Sequence, residues 1–222
     1  MSVNALILAA GEARRFGRPK QLLPWGQDET ILGRVIAELQ ATPGIDRVGV
    51  VLGAWEEEIR KQMQTRLARV EIISNPDWKQ GMFSSLSAGL VKLRGSARPL
   101  LILLGDMPFI SHDVLSRFPA ACDPDDPRPI IATEAGRPAH PYLIRPRHID
   151  EILSLSGESG IRPFIRRHFP EAVKITVSEN AGRHDIDTWE SYFSRRPAAS
   201  GPVIPPPPPT FDGLENCRPA SP

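Results

Sequence analysis

The chain has 222 residues, 41% hydrophobic and 24% charged, with a formal net charge of +1. That length supports one α/β domain with a sizeable core, or two small ones. The near-neutral charge leaves no global pull toward nucleic acid or an anionic membrane, so neither is expected as a partner and any anion site must be local. The two cysteines, Cys122 and Cys217, are too few for a disulfide scaffold or a cysteine zinc site and fit a reducing compartment. The apolar run Ala5–Ala10 is too short to span a bilayer and lacks the flanks of a signal peptide. The expectation is a soluble cytoplasmic protein.

Residues 3–10, VNALILAA, form a near-continuous apolar run, the pattern of a strand buried on both faces of a parallel sheet. Residues 30–40 place Ile31, Val35, Ile36 and Leu39 on one helical face. A second strand is predicted over 47–53. An amphipathic helix follows over 56–67, with Ile59, Met63 and Leu67 inward, and then a third strand over 69–74. Met82, Leu86, Leu90 and Leu93 set a helix over 82–93 facing the core. RPLLILLGD (98–106) is the most apolar strand and is expected at the sheet's centre; a helix over 111–118 follows. After Asp123 come a turn-rich connection, two short strands in PIIAT and HPYLIR, helical pieces in HIDEILSL and GIRPFIRRH, a late strand in AVKITV and a closing helix in TWESYFSRR.

Alternating strands and helices predict an α/β fold, a mostly parallel central sheet flanked by helices with right-handed crossovers. One domain is expected over 1–196, its second part folded over the sheet's edge. From Pro197 the chain is proline-rich with almost no buriable surface, and a disordered tail with Pro205–Pro209 in polyproline II is expected over 197–222.

In an open parallel sheet, ligands bind beyond the carboxyl ends of the strands. The first such end opens LAAGEARRFGRPKQLLP (8–24), with two glycines and four basic side chains, Arg14, Arg15, Arg18 and Lys20. Gly11 and Gly17 are too far apart for a dinucleotide fingerprint, and Lys20 is followed by Gln21 rather than the Ser or Thr of a Walker loop. A longer anion loop remains: backbone N–H groups of Ala10 and Gly11 approach an anion, and Arg15 and Lys20 reach its phosphates.

This stretch resembles the signature of the MobA-like NTP transferases, L-A-[AG]-G-x-S-x-R-M-G-x-x-K. NPDWKQGMFSSLSAGL (75–90), LLGDMPFI (103–110), GRPAHPYLI (136–144) and DIDTWESYF (185–193) are similar to the family's later motifs, in the same order. The pair Ala9–Ala10 resembles the molybdenum cofactor cytidylyltransferase branch. The resemblance implies a Rossmann-like nucleotidyltransferase fold and a Mg²⁺-dependent transfer of CMP from CTP to the phosphate of molybdenum-bearing molybdopterin. It also admits the same chemistry with another nucleotide or acceptor. A non-catalytic carrier that delivers the cofactor to a molybdenum hydroxylase of the xanthine dehydrogenase type is a further alternative.

By the same resemblance, Arg15 and Lys20 hold the triphosphate, and Asp106 and Asp187 bind Mg²⁺. Asp185 is the rival second ligand, and helix capping is the plainer alternative for Asp106 and Asp187. Nucleotide contacts fall to Ala9, Ala10, Gly11, Gly53, Gly81, Ser84 and Ser85. Gly53 equally suits a strand end, and the serines suit a helix cap. His140 and Arg162 are assigned to the acceptor, with a structural role the alternative for His140. The sequence departs from the pattern at Ala13 for Ser, Phe16 for Met, Ala139 for Gly, and Trp189-Glu190-Ser191 for the usual P-E-D. The acceptor half is therefore less secured by motif than the nucleotide half.

Overall fold

The computed structural model describes residues 1–155, 160–177 and 185–201. Pro205–Pro209 and Cys217 lie outside the described residues. In chain order the elements are β1 (Val3–Leu8), α1 (Ile31–Ala41), β2 (Ile45–Leu52), α2 (Glu56–Gln62), α3 (Gln64–Leu67), β3 (Glu71–Ser74), α4 (Met82–Leu93), β4 (Leu100–Leu104) and α5 (His112–Ala120). Then come β5 (Ile130–Glu134), β6 (Arg137–Ile144), α6 (Ile149–Leu153), α7 (Arg162–His168), β7 (Val173–Thr176) and α8 (Trp189–Arg195). No helix among the described residues is long and apolar enough to cross a membrane.

The strands form one seven-stranded sheet in the order β3-β2-β1-β4-β6-β5-β7. β3, β2, β1 and β4 pair in parallel, β6 runs antiparallel to β4 and to β5, and β5 pairs in parallel with β7. The sheet is thus mostly parallel, with β6 alone reversed and the apolar β4 at its centre. The second part of the chain does not fold over the sheet's edge: β6, β5 and β7 extend the sheet past β4. A two-residue turn joins β5 to β6, with Ala135 and Gly136 both at positive φ (49° and 73°), the backbone that matches the twist of a tight hairpin.

β1 is buried on both faces, as its unbroken apolar run requires. Val3, Ala5 and Ile7 pack with Leu32, Val35, Ile36 and Leu39 of α1 and with Leu115 and Phe118 of α5. Leu6 points the other way, toward α4, into a cluster that also holds Leu86, Leu90 and Leu93 of that helix, Ile149 and Ile152 of α6, and Phe164 and Ile165 of α7. A third cluster gathers Phe16, Leu23, Trp25, Ile31, Ile186 and Tyr192 beside the first loop. The helix predicted over 56–67 breaks at Met63 (φ −110°, ψ 21°), yet Ile59, Met63 and Leu67 are buried as the spacing demands. Met82 is the exception to the inward face of α4. It is the first residue of that helix, 56% exposed, and lies in the wall of a cavity instead of the core.

β1 leads to β2 on one side, while β3 crosses back past β1 to β4 on the other. The loops leaving β1 and β4 diverge at this reversal and leave a crevice at the carboxyl ends of the strands.

Candidate active site

A cavity of about 540 Å³ occupies that crevice. Its wall includes Ala9, Ala10, Gly11, Arg15, Lys20, Gly81, Ser85, Asp106, Asp185 and Asp187. Gly53, Ser84, His140 and Arg162 stand off the wall.

The first loop is shaped by what its carbonyls do. Ala54 N–H donates to Ala10 O (3.1 Å), and Trp55 Nε1–H donates to Glu12 O (2.7 Å). Gln21 Nε2 donates to Ala9 O (2.7 Å) and to Gly11 O (3.3 Å). The carbonyls of residues 9–12 are thus all engaged on the protein side. The N–H groups of residues 10–13 donate to nothing among the described residues. Ala13 then turns in the left-handed region (φ 55°, ψ 44°), a conformation an L-residue adopts at a cost. A concave run of unspent backbone N–H groups is an anion cradle. Arg15, exposed on the short turn Arg14–Phe16, lies in the same wall and pulls Asp187 toward ionisation.

Asp106 follows β4, whose pairing with β1 is prolonged by Gly105 N–H on Leu8 O (2.9 Å). Asp106 does not cap a helix, because α5 begins only after Ser111. Ile186 N–H donates to Asp106 O (3.2 Å), and the Ile186 side chain is fully buried in the third cluster. With Ile186 turned inward, extended backbone turns its neighbours Asp185 and Asp187 outward together. Asp187 does not cap α8 either. Thr188 does: Ser191 N–H donates to Thr188 Oγ1 and Thr188 N–H to Ser191 Oγ, both at 3.1 Å.

Carboxylate oxygens of Asp106, Asp185 and Asp187 all lie within 4.8 Å of one another. Lys20 Nζ sits 2.5 Å from Asp106 Oδ2 and 2.9 Å from Asp187 Oδ1. Burial disfavours the Lys20 ammonium, but the charges and hydrogen bonds of Asp106 and Asp187 outweigh it and raise its pKa. Burial likewise opposes ionisation of Asp187, and Lys20 overcomes it, holding that carboxyl below its usual value. Asp185 has no such partner; burial, then Asp106 and Asp187, push its pKa up. Asp106 Oδ1 is buried without a hydrogen-bond partner among the described residues. Three converging carboxylates with an unused buried oxygen fit a hard divalent cation, which prefers oxygen ligands from one or two carboxylates plus phosphate and water.

Ser85, 6% exposed, and Ser84 both accept from Asn75 Nδ2, at 3.0 and 2.9 Å. Ser84 turns its hydroxyl back to Gly81 O (2.8 Å), while Ser85 faces the cavity. Gly81 (φ 96°) has nothing within 4 Å of where a Cβ would stand, so the backbone there is open to a ligand. Gly53 is hemmed in: a Cβ would stand 2.7 Å from Trp78 Cβ and 2.9 Å from Ala10 Cβ. On β6, His140 has Nδ1 3.4 Å from Ile102 O and its ring against Tyr142, and burial lowers its pKa to about 4. Arg162 is the exposed first residue of α7. Two side chains with no motif signal of their own complete the arrangement. Asn75 orients both serines, and Gln21 holds the first loop; only the position of Asn75 at the head of NPDWKQG pointed to it.

A cradle of backbone N–H groups, a basic pair and converging carboxylates at the switch point of an α/β sheet define a nucleotidyltransferase. The chain belongs to the MobA-like NTP transferase domain family, whose model matches residues 5–173. It is 29% identical over 204 residues to nicotine blue oxidoreductase of Paenarthrobacter nicotinovorans, covering 86% of this chain and 95% of that one. It is 28% identical over 195 residues to the molybdenum cofactor cytidylyltransferase of Escherichia coli strain K12, covering 88% of this chain and 96% of that one. Among solved structures it is similar to Rv0371c of Mycobacterium tuberculosis H37Rv, with a TM-score of 0.73 and 26% identity over 87% of this chain and 96% of that one. That protein has also been solved in complex with manganese.

Proposed function

We propose that the protein is a cytoplasmic, Mg²⁺-dependent cytidylyltransferase. It transfers CMP from CTP to the terminal phosphate of molybdenum-bearing molybdopterin and releases pyrophosphate. The dinucleotide product serves a molybdenum hydroxylase of the xanthine dehydrogenase type. An acceptor phosphate oxygen forms a bond to the α-phosphorus of CTP as the bond from that phosphorus to the pyrophosphate oxygen breaks. The observation that carries the reading is the pairing of the unspent N–H groups of residues 10–13 with Lys20 and the three carboxylates on one rim.

Such chemistry asks for positioning and charge neutralisation more than for an acid–base pair. The first loop receives phosphate oxygens on its N–H groups. Arg15 grips phosphate with its planar fork, and Lys20 supplies a point charge. Asp106 and Asp187 would hold Mg²⁺, with Asp185 beside them; when bound, the cation neutralises charge on the phosphates. Ala9, Ala10, Gly11, Gly81 and Ser85 face the nucleoside, while Ser84 and Gly53 support them from behind. His140 and Arg162 are assigned to the acceptor by their motifs alone.

The test is pyrophosphate release with CTP, GTP and ATP in turn, each with Mg²⁺ and molybdenum-loaded molybdopterin. Release with CTP alone is the expected result, and silence with all three overturns the reading. The likeness to an oxidoreductase favours one second reading, a redox reaction in the same cavity. That reading needs neither CTP nor pyrophosphate release, so the same assay separates the two.

A further inference from the structure

The cavity wall carries four basic side chains, Arg14, Arg15, Lys20 and Lys79. Two of them are spent on acids in the structure. Arg14 Nε lies 2.7 Å from Glu12 Oε2, and Lys20 is held between Asp106 and Asp187. Arg15 belongs to the first loop, beside the unspent N–H groups. Lys79 differs from all three. It is exposed and comes from the short turn Trp78–Gln80, on the connection between β3 and α4. The acid nearest to it in sequence, Asp77, accepts instead from Gln80 Nε2 (2.9 Å), and Lys79 forms no ion pair among the described residues. Its Nζ rests 5.4 Å from the centre of the Trp78 ring, a cation–π contact. Trp78 is itself anchored, partly buried against the second core cluster with its Cβ over Gly53. Lys79 thus brings an unneutralised charge to the cavity on a fixed footing.

We infer that Lys79 binds the phosphate of the acceptor, the group whose oxygen attacks the nucleotide. The inference rests on the nucleotidyl-transfer reading of this cavity. Two anions must meet there, and their repulsion opposes the approach. In that reading the triphosphate already has its partners: the N–H groups of residues 10–13, Arg15, Lys20 and a cation on the aspartates. The acceptor phosphate has none of these. His140 cannot serve it, because it stands off the wall and its lowered pKa, about 4, leaves the ring neutral at pH 7. Arg162, on α7, stands off the wall as well. Among the described residues, Lys79 is the one cation of the wall that is neither paired with an acid nor part of the first loop. The residue type suits the task. An ammonium is a compact point charge that meets phosphate oxygens in many orientations. Trp78 steadies it without neutralising it, since the ring attracts a cation but carries no net charge.

Binding by titration calorimetry, with turnover measured beside it, tests this. The ligands are molybdenum-loaded molybdopterin, the same compound with its terminal phosphate removed, and CTP with Mg²⁺. In Lys79→Gln, affinity for the phosphorylated acceptor should fall about ten-fold, the loss of one charge-assisted contact. The dephosphorylated compound and CTP should bind as they do to the wild type. In turnover the KM for the acceptor should rise to match, with kcat and the KM for CTP little changed, as for a contact made equally before and during reaction. Lys79→Arg, which keeps the charge, should restore acceptor binding. Equal affinity of wild type and Lys79→Gln for the phosphorylated acceptor overturns the inference, and pyrophosphate release by the wild type then leaves the transfer reading intact. A loss confined to CTP overturns it too, by assigning Lys79 to the triphosphate. So does an equal loss for both forms of the acceptor, which would credit the side chain's stem and not its charge. A wild-type protein that neither binds the acceptor nor releases pyrophosphate overturns both.

Discussion

The Lys20 ammonium lies between Asp106 and Asp187, 2.5 Å from one carboxylate and 2.9 Å from the other. A side chain assigned to phosphate and two assigned to a metal are thus each other's partners. Lys20 cannot serve a phosphate while it neutralises both carboxylates, so on the proposed function a metal-bound triphosphate would exchange these partners. Under the proposed function, Asp106 and Asp187 would hold the metal and Lys20 would turn to the phosphates.

That exchange predicts competition between Lys20 and free metal. In Lys20→Met the carboxylates lose their ammonium, and Mn²⁺ without nucleotide should bind more tightly than to the wild type, read by electron paramagnetic resonance. Turnover should fall by about 10²–10³, by analogy with the loss of one preorganised charge-stabilising donor. Equal Mn²⁺ affinities would show that Lys20 does not compete. Asp106→Asn should abolish pyrophosphate release while leaving the melting curve close to wild type; near-normal turnover would remove Asp106 from the metal site.

Acid should loosen the fold through His148. This residue is 6% exposed, its Nδ1 accepts from Arg145 N–H at 3.2 Å, and burial, then the neighbouring His168, lower its pKa to about 4. An unfolded histidine titrates near 6.5, so between about pH 6.5 and pH 4 the unfolded chain binds more protons than the folded one. Stability therefore falls as pH drops through that window, by as much as ~3 kcal/mol from this group. His140 acts in the same direction over the same window. Thermal melts from pH 7 to pH 4.5 should show the decline, and His148→Gln should flatten it. An equally steep decline in that variant would assign the loss to other groups.

Gly53 supports the first loop from behind. A methyl group there would meet Trp78 Cβ at 2.7 Å, Ala10 Cβ at 2.9 Å and Ala10 O at 3.0 Å. Gly53→Ala should cost roughly 1–3 kcal/mol of stability and weaken CTP binding, because Ala10 must move. Gly95→Ala, with nothing within 4 Å, is the control and should change neither. Unaltered CTP affinity in a destabilised Gly53→Ala protein would separate packing from the nucleotide site.

The sheet was legible because apolar runs and helical spacing are local signals. Val3–Leu8 and Leu100–Leu104 announce buried strands without reference to anything distant. The second half was less legible: the reversal of β6 depends on which edge is free once β4 is placed, and no single segment encodes that. The site divides in the same way. Lys20, Asp106 and Asp187 stand in motifs, but their mutual ion pairs join positions up to 167 apart in sequence. Gln21 and Met82 carried no sign of the cavity. One is an amide whose partners are backbone carbonyls, and the other is an apolar residue at a helix end where spacing predicted core.

Two departures from the family pattern meet in space, and their coupling can be measured. Phe16 stands where the motif has Met, Trp189 where it has Pro, and their ring centroids are 5.0 Å apart. Trp189 also stacks on Phe193 at 5.7 Å. Phe16, 1% exposed, belongs to the anion loop, and Trp189 starts the helix two residues after Asp187. The contact thus ties the first-loop side of the cavity to the carboxylate side. Trp189→Pro isolates the ring, because proline is well accommodated at the first position of a helix. Thr188 already has the extended backbone (φ −138°, ψ 159°) that a residue before proline requires. In a double-mutant cycle with Phe16→Met, denaturant unfolding should give a coupling energy of about 0.5–1.5 kcal/mol, as for other aromatic pairs. The doubly substituted protein should be less destabilised than the sum of the single changes. A coupling near zero would mean that the two rings pack independently and that the loop and α8 are not joined through them.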